Sequence, residues 1–318
     1  MSDSPLVTHL YTADPSAHVF NDRLYVYPSH DRAAGIEDND KGDQYDMVDY
    51  HVFSMDDVGS EVTDHGVALK LEDVPWAKKQ LWAPDAATKH GKYYLFFPAR
   101  GEDGLFRIGV AIGEKPEGPF VAEPEPIAGS YSIDPAVLVD GDNAYLYFGG
   151  IWGGQLQRFD GNEFESSREE PTGDAPAIGP RVARLSEDMK SIEGAVQEMV
   201  ILDEHAKPLR ADDHDRRFFE APWVHRRADT YYLSYSTGNT HYIVYATSKS
   251  PTGPFTYGGR ILEPVVGWTT HQSIVEHRGR WFLFHHDSSL SEGKNHLRCM
   301  KAKEILYDES GRILPVQA

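Results

Sequence analysis

The sequence predicts an all-β chain folded as one five-bladed β-propeller, a single domain over residues 1–318. Three observations carry this. Helical periodicity is nearly absent. A unit of polar head, strand, short polar turn and aromatic strand recurs five times. A Pro-x-Gly-Pro-Phe turn follows an alternating strand twice, at Pro116–Phe120 and Pro251–Phe255. In such a turn Pro and Gly fix the bend and the Phe is expected to plug between sheets.

The units run in order. Residues 1–13 are a lead-in whose Thr8 to Tyr11 is expected to close the ring against the last blade. Asp14-Pro15 opens the first unit, with Val19-Phe20, the turn Asn21-Asp22 and Leu24 to Tyr27. Pro28-Ser29-His30-Asp31 and an acidic loop from Glu37 to Asp46 follow, the loop read as solvated because its spacing does not fit an EF-hand. Tyr50 to Met55 alternates as a strand. Trp82-Ala83-Pro84-Asp85 opens the second unit, which ends on Tyr93 to Phe97 and Phe106 to Ala111.

Ile133-Asp134-Pro135 opens the third, with Val137 to Val139 and Tyr145 to Phe148. Its long insertion, Trp152 to Arg217, is expected to hold strands at Arg181 to Leu185 and Val196 to Leu202 around a turn at Ser186 to Met189. The fourth unit is Phe218-Phe219-Glu220-Ala221-Pro222-Trp223-Val224-His225, then Tyr231 to Ser236. Thr270-His271-Gln272 opens the fifth, followed by Ile274-Val275 and Trp281 to Phe284. Leu297 to Lys301 and Glu304 to Tyr307 read as two closing strands. Heads are 71, 49, 86 and 51 residues apart by subtraction, so the repeat is degenerate and padded by loops.

In a propeller the innermost strands line a central channel. The heads Asp14, Asp85, Asp134, Glu220 and His271 are therefore expected to meet at one mouth of it. A carboxyl among apolar neighbours resists ionisation, so Glu220, between paired Phe and Ala-Pro-Trp, suits a general acid. Two carboxylates across a pocket are the equipment of glycosidic cleavage, and a third nearby raises the acid's pKa by repulsion. Trp82, Trp223 and Trp268 each lie three residues from a head, where rings could stack on sugar faces.

Composition narrows the partners. With 40% hydrophobic and 25% charged residues the chain is ordinary for a globular protein. A net charge of −19 disfavours nucleic acid and anionic membrane and leaves a small neutral oligosaccharide as the expected ligand. Cys299 is the single cysteine, so neither an intramolecular disulfide nor a thiolate zinc site is expected. The start Met1-Ser2-Asp3-Ser4-Pro5 lacks a basic, apolar leader, from which a cytoplasmic location is expected. A homo-oligomer stays open.

Asp14-Pro15, Asp134-Pro135-Ala136 and Glu220-Ala221-Pro222, with Trp82-Ala83-Pro84-Asp85 and the two Pro-x-Gly-Pro-Phe turns, resemble glycoside hydrolase family 43 from about Thr8 to Tyr307. The resemblance implies an inverting, five-bladed exo-hydrolase releasing xylose from β-1,4-xylo-oligosaccharides, with α-L-arabinofuranosidase activity as the alternative. It implies Asp14 as general base, Glu220 as general acid and Asp134 as modulator of the acid's pKa. Asp85 then becomes the odd carboxylate out, structural or supporting the site from behind. Arg298 resembles an arginine that reaches sugar hydroxyls, and Asp31, Trp82, Trp152 and Trp223 are the further substrate-binding candidates. His271 resembles a channel histidine that in some members holds Ca2+ through water. No cofactor is expected for the chemistry itself. The β-sandwich appended to longer relatives is not expected here. A non-catalytic, sugar-binding propeller is the rival of another class.

Overall fold

The computed structural model describes residues 4–316, in which five blade sheets are arranged as a ring. A small two-stranded sheet, Phe159–Asp160 with Glu163–Phe164, lies in the third unit's insertion. Blade 1 holds strands Tyr11–Phe20, Arg23–Asp31, Asp49–Met55 and Thr63–Lys70. Blade 2 holds Asp85–Lys89, Lys92–Arg100, Phe106–Gly113 and Val121–Ala122. Blade 3 holds Ala136–Asp140, Asn143–Phe148, Arg181–Leu185 and Ile192–Glu198. Blade 4 holds Phe218–Arg227, Thr230–Thr237, Ile243–Ser248 and Phe255–Leu262, with Ile201–Leu202 added in parallel at its edge. Blade 5 has three strands, Gln272–His277, Arg280–Asp287 and Cys299–Ile305. The first strand of each blade touches the first strands of its two neighbours, so these five line the channel.

All five inner hairpins turn on two residues: 21–22, 90–91, 141–142, 228–229 and 278–279. The first of each pair has positive φ, from 51° at Arg278 to 62° at Gly141. That backbone matches the right-handed twist of the flanking strands.

The second strands are apolar on both faces because each blade is packed on both sides. In Leu24-Tyr25-Val26-Tyr27, Leu24 and Val26 face Phe282 and Phe284 of blade 5, while Tyr25 and Tyr27 pack with Leu95 and Phe97 of blade 2. One strand on, Tyr94 and Phe96 turn the other way, toward blade 3. Phe120 and Phe255 are buried as the turn motif predicts. Removing a ring such as Phe96 would cost about 3–5 kcal/mol.

Four expectations change. The lead-in closes the ring through Leu6 N–H to Met300 O and Thr12 N–H to Arg298 O, both at 2.9 Å, rather than as a strand at Thr8 to Tyr11. Residues 1–3, part of the start read for a leader, lie outside the described residues. Val196 to Leu202 is divided: its first residues end blade 3, and Ile201–Leu202 joins blade 4. The two closing strands are one, Cys299–Ile305. The loop at 37–46 is not simply solvated; it walls the pocket described next.

Candidate active site

Three heads, those of Asp14, Asp134 and Glu220, reach the channel where the backbone leaves regular strand geometry. The ladder of the first inner strand shifts between Ala13 and Ser16, and Asp14 sits in that bulge at φ 50°. Asp134 has φ 56° just before its strand. Ala221 has φ 59° within a second bulge beside Glu220. Left-handed backbone at Asp and Ala costs energy, and the ring holds it there by crosslinks between neighbouring inner strands.

Those crosslinks run all the way round. Asp85 accepts from Ser16 and from His18 at 2.6 Å on blade 1, and from the Val137 N–H on blade 3. The Ala221 N–H donates to Asp134 Oδ2 at 2.9 Å, joining blades 4 and 3. Gln272 donates to Ala221 O at 2.8 Å. Ser273 receives the Ala17 N–H at 3.0 Å and donates to Pro15 O at 2.6 Å, joining blade 5 to blade 1. Asp85 is thus fully buried and spent on structure.

At one end lies a pit of about 120 Å³, with Asp14, Asp134, Glu220, His271 and Arg298 among its lining residues. Its walls are Trp82, Trp152, Trp268, Phe219 and the loop residues Tyr45 and Met47. Arg298 donates to Asp14 Oδ1 at 3.0 Å and Ser29 donates to Oδ2. The Asp14 N–H donates to His286 Nδ1 at 2.9 Å, so that nitrogen is unprotonated and gives nothing to the Asp14 carboxylate. Burial pushes the Asp14 carboxyl up, but the neighbouring groups, the Arg298 guanidinium foremost and the His271 and His286 rings behind it, together outweigh burial and hold the group well below the usual carboxylate range. Asp14 is ionised.

Burial, reinforced by the Asp14 charge and only partly opposed by Arg298, pushes the Glu220 carboxyl up to about 8. Burial and Glu220 push Asp134 up as well, so the two cannot both be charged near neutral pH. Asp134 receives the Ala221 N–H, whereas no described residue donates to the Glu220 carboxyl. The charge therefore rests on Asp134 and the proton on Glu220. One pit holds an ionised carboxylate and a protonated carboxylic acid.

The model of the glycosyl hydrolases family 43 matches residues 3–313. The chain belongs to that family. It is 65% identical to a xylosidase/arabinosidase 43A of Humicola insolens, over 98% of each chain. It is 56% identical to a xylosidase/arabinosidase of Bacteroides ovatus, over 98% of this chain and 97% of the other. Among solved structures it resembles a family 43 β-xylosidase/α-arabinofuranosidase from a compost metagenome, described as a calcium-free form with xylotriose. That likeness has a TM-score of 0.97 at 60% identity, over 99% of this chain and 97% of the other.

Within this family 43 site the candidates divide. Trp82 and Trp152 line the pit, Trp82 tied to Tyr45 O at 2.7 Å and Trp152 to Glu170 at 3.0 Å. Trp268, 41% exposed, stacks beside Trp152 at 6.2 Å and forms the rim. Trp223 does not reach it: the indole is buried, bonded to Ile274 O and packed on His18. Asp31 is also buried away from the pit. Both its oxygens receive Arg298 at 2.8 Å, so it aims the arginine instead of meeting sugar.

Tyr45, beneath the Arg298 guanidinium at 4.9 Å, was hidden in an acidic loop. Gly42 was the available signal: a Cβ there would lie 2.6 Å from Trp82.

His271 Nδ1 lies 3.6 Å from Asp14 and 3.9 Å from Asp134, and burial holds the ring neutral, its pKa pushed down to about 4. Calcium takes six to eight oxygens. The two carboxylates here are already engaged by Arg298, Ser29 and Ala221, so these residues do not form a direct calcium cage, and no step below runs through a metal.

Proposed function

We propose that this glycosidase is an exo-acting, inverting β-xylosidase on short xylo-oligosaccharides, with Asp14 as base and Glu220 as acid. The observation that carries it is the pairing in one pit of an ionised Asp14 with a protonated Glu220. Glu220 gives its proton to the glycosidic oxygen as the bond to the anomeric carbon breaks. Asp14 takes a proton from the water attacking the opposite face. Asp134 keeps the Glu220 proton in place by repulsion, and its bond to the Ala221 N–H fixes the adjoining backbone. Arg298, held by Asp31, presents a donor both to Asp14 and to sugar hydroxyls. The small volume of the pit supports removal of one terminal pentose at a time.

Arabinofuranosidase activity in the same pit is the second reading, favoured by the double names of the similar proteins. A panel of nitrophenyl pyranosides and furanosides, with and without chelator, ranks the two sugars and tests calcium at His271. Turnover of the β-xyloside at the highest rate is the expected result. Binding without turnover of any member would favour the non-catalytic propeller. Proton NMR should show α-xylose as first product of a β-xyloside; β-xylose first would contradict inversion. A cytoplasmic site of action belongs to the same proposal, and fractionation of the producing cells tests it.

A further inference from the structure

Blade 1 carries a second cluster that the hydrolytic site does not use. A ring nitrogen of His30, a ring nitrogen of His51 and a carboxylate oxygen of Asp49 lie within 4.8 Å of one another. The three come from two adjacent strands, Arg23–Asp31 and Asp49–Met55. Backbone pairing between these strands runs from Leu24/Met55 to Val26/Phe53, and Pro28 beyond has no N–H to extend it. Continuing that register puts His30 opposite Asp49. Side chains, not the ladder, therefore join the strands at this end, with His30 Nδ1 at 2.6 Å from Asp49 Oδ1.

The proton on His51 is placed to suit a metal, while the His30 Nδ1 hydrogen, held by Asp49, leaves the lone pair of His30 on Nε2. His51 Nδ1 lies 3.1 Å from Asp64 Oδ1, and a carboxylate only accepts, so Nδ1 carries the hydrogen and Nε2 keeps its lone pair. Asp64 is fixed in turn by His9 Nε2 at 2.8 Å and the Gly66 N–H at 2.7 Å. A carboxylate behind an imidazole is the arrangement that orients metal-binding histidines. The side chains of His30, Asp49 and His51 are 22%, 20% and 14% exposed, which leaves a way in for an ion. Two imidazoles and one carboxylate suit zinc better than calcium, which wants oxygen. Zinc bonds of ~2.0–2.1 Å need the His30–Asp49 hydrogen bond to open and the two imidazoles and the carboxylate to turn onto the ion, within reach of side-chain rotation.

We propose that His30, Asp49 and His51 form a site for one divalent transition-metal ion of the zinc class, which clamps the two strands of blade 1 where their backbone pairing ends. The position is consequential because His30 adjoins Asp31, the residue that aims Arg298.

Zinc titration of the chelator-treated full chain, read by competition with a chromogenic chelator, tests this. One equivalent should bind. The double variant His30→Gln/His51→Gln should lose it, Asp64→Asn should weaken it about tenfold, and Glu220→Gln should leave it unchanged. Cobalt(II) added to the unmodified chain should give visible absorption bands that one equivalent of zinc removes, a readout independent of how the variants fold. Failure of the unmodified chain to take up one equivalent would overturn the proposal. So would uptake that survives the double substitution or disappears with Glu220→Gln.

Discussion

Asp14 and Glu220 share a pit yet hold opposite protonation states, because Arg298 points at one while burial, reinforced by the Asp14 charge, keeps the proton on the other. This has a consequence for pH. An acid catalyst works only while it holds its proton, so kcat/KM should fall as pH rises through the Glu220 value of about 8. Asp134→Asn removes the neighbouring charge while an amide oxygen can still accept the Ala221 N–H. The Glu220 carboxyl then ionises more easily, and the alkaline limb should move down by about one pH unit. A pH–rate profile of the variant checks this; an unmoved limb would deny Asp134 its tuning role.

At the scale of the strand, position within a head decides whether a carboxylate meets solvent or backbone. In Asp14-Pro15 and Asp134-Pro135 the acid precedes the proline in left-handed backbone; in Pro84-Asp85 it follows. Asp85 lies inside the regular ladder opposite Phe96 rather than in a bulge or ahead of its strand, and its carboxylate is taken up by the crosslinks to blades 1 and 3. Asp85→Ala strands the Ser16, His18 and Val137 donors at ~1–3 kcal/mol each, so unfolding free energy should drop by about 3 kcal/mol or more. Denaturant titration measures it, and activity per folded molecule should survive.

Gly42, at φ 72°, abuts Trp82. Gly42→Ala should push that ring and raise KM several-fold with kcat little changed, measured by steady-state kinetics. The repeat heads and two-residue turns were legible because each is local chemistry. Trp223, Asp31 and Tyr45 were not, because what each does depends on partners far along the chain: Ile274, Arg298 and again Arg298.

Over the whole molecule, the ring brings together residues that begin and end the chain. Asp14 and Arg298 meet because blade 5 closes on the lead-in, and Asp134 and Glu220 meet because their inner strands are neighbours. The five-blade count was legible in the repeat, while the third unit's insertion was not, since its strands serve two blades. The geometry divides labour across the pit, and leaving-group chemistry reads that division directly. The decisive measurement is kcat/KM of Glu220→Ala and Asp14→Ala on xylobiose and on an aryl xyloside with a good leaving group. Loss of the acid should cost about 10²–10⁴-fold on xylobiose and far less on the activated substrate, while loss of the base should disable both. Equal losses for Glu220→Ala on the two substrates would contradict the account.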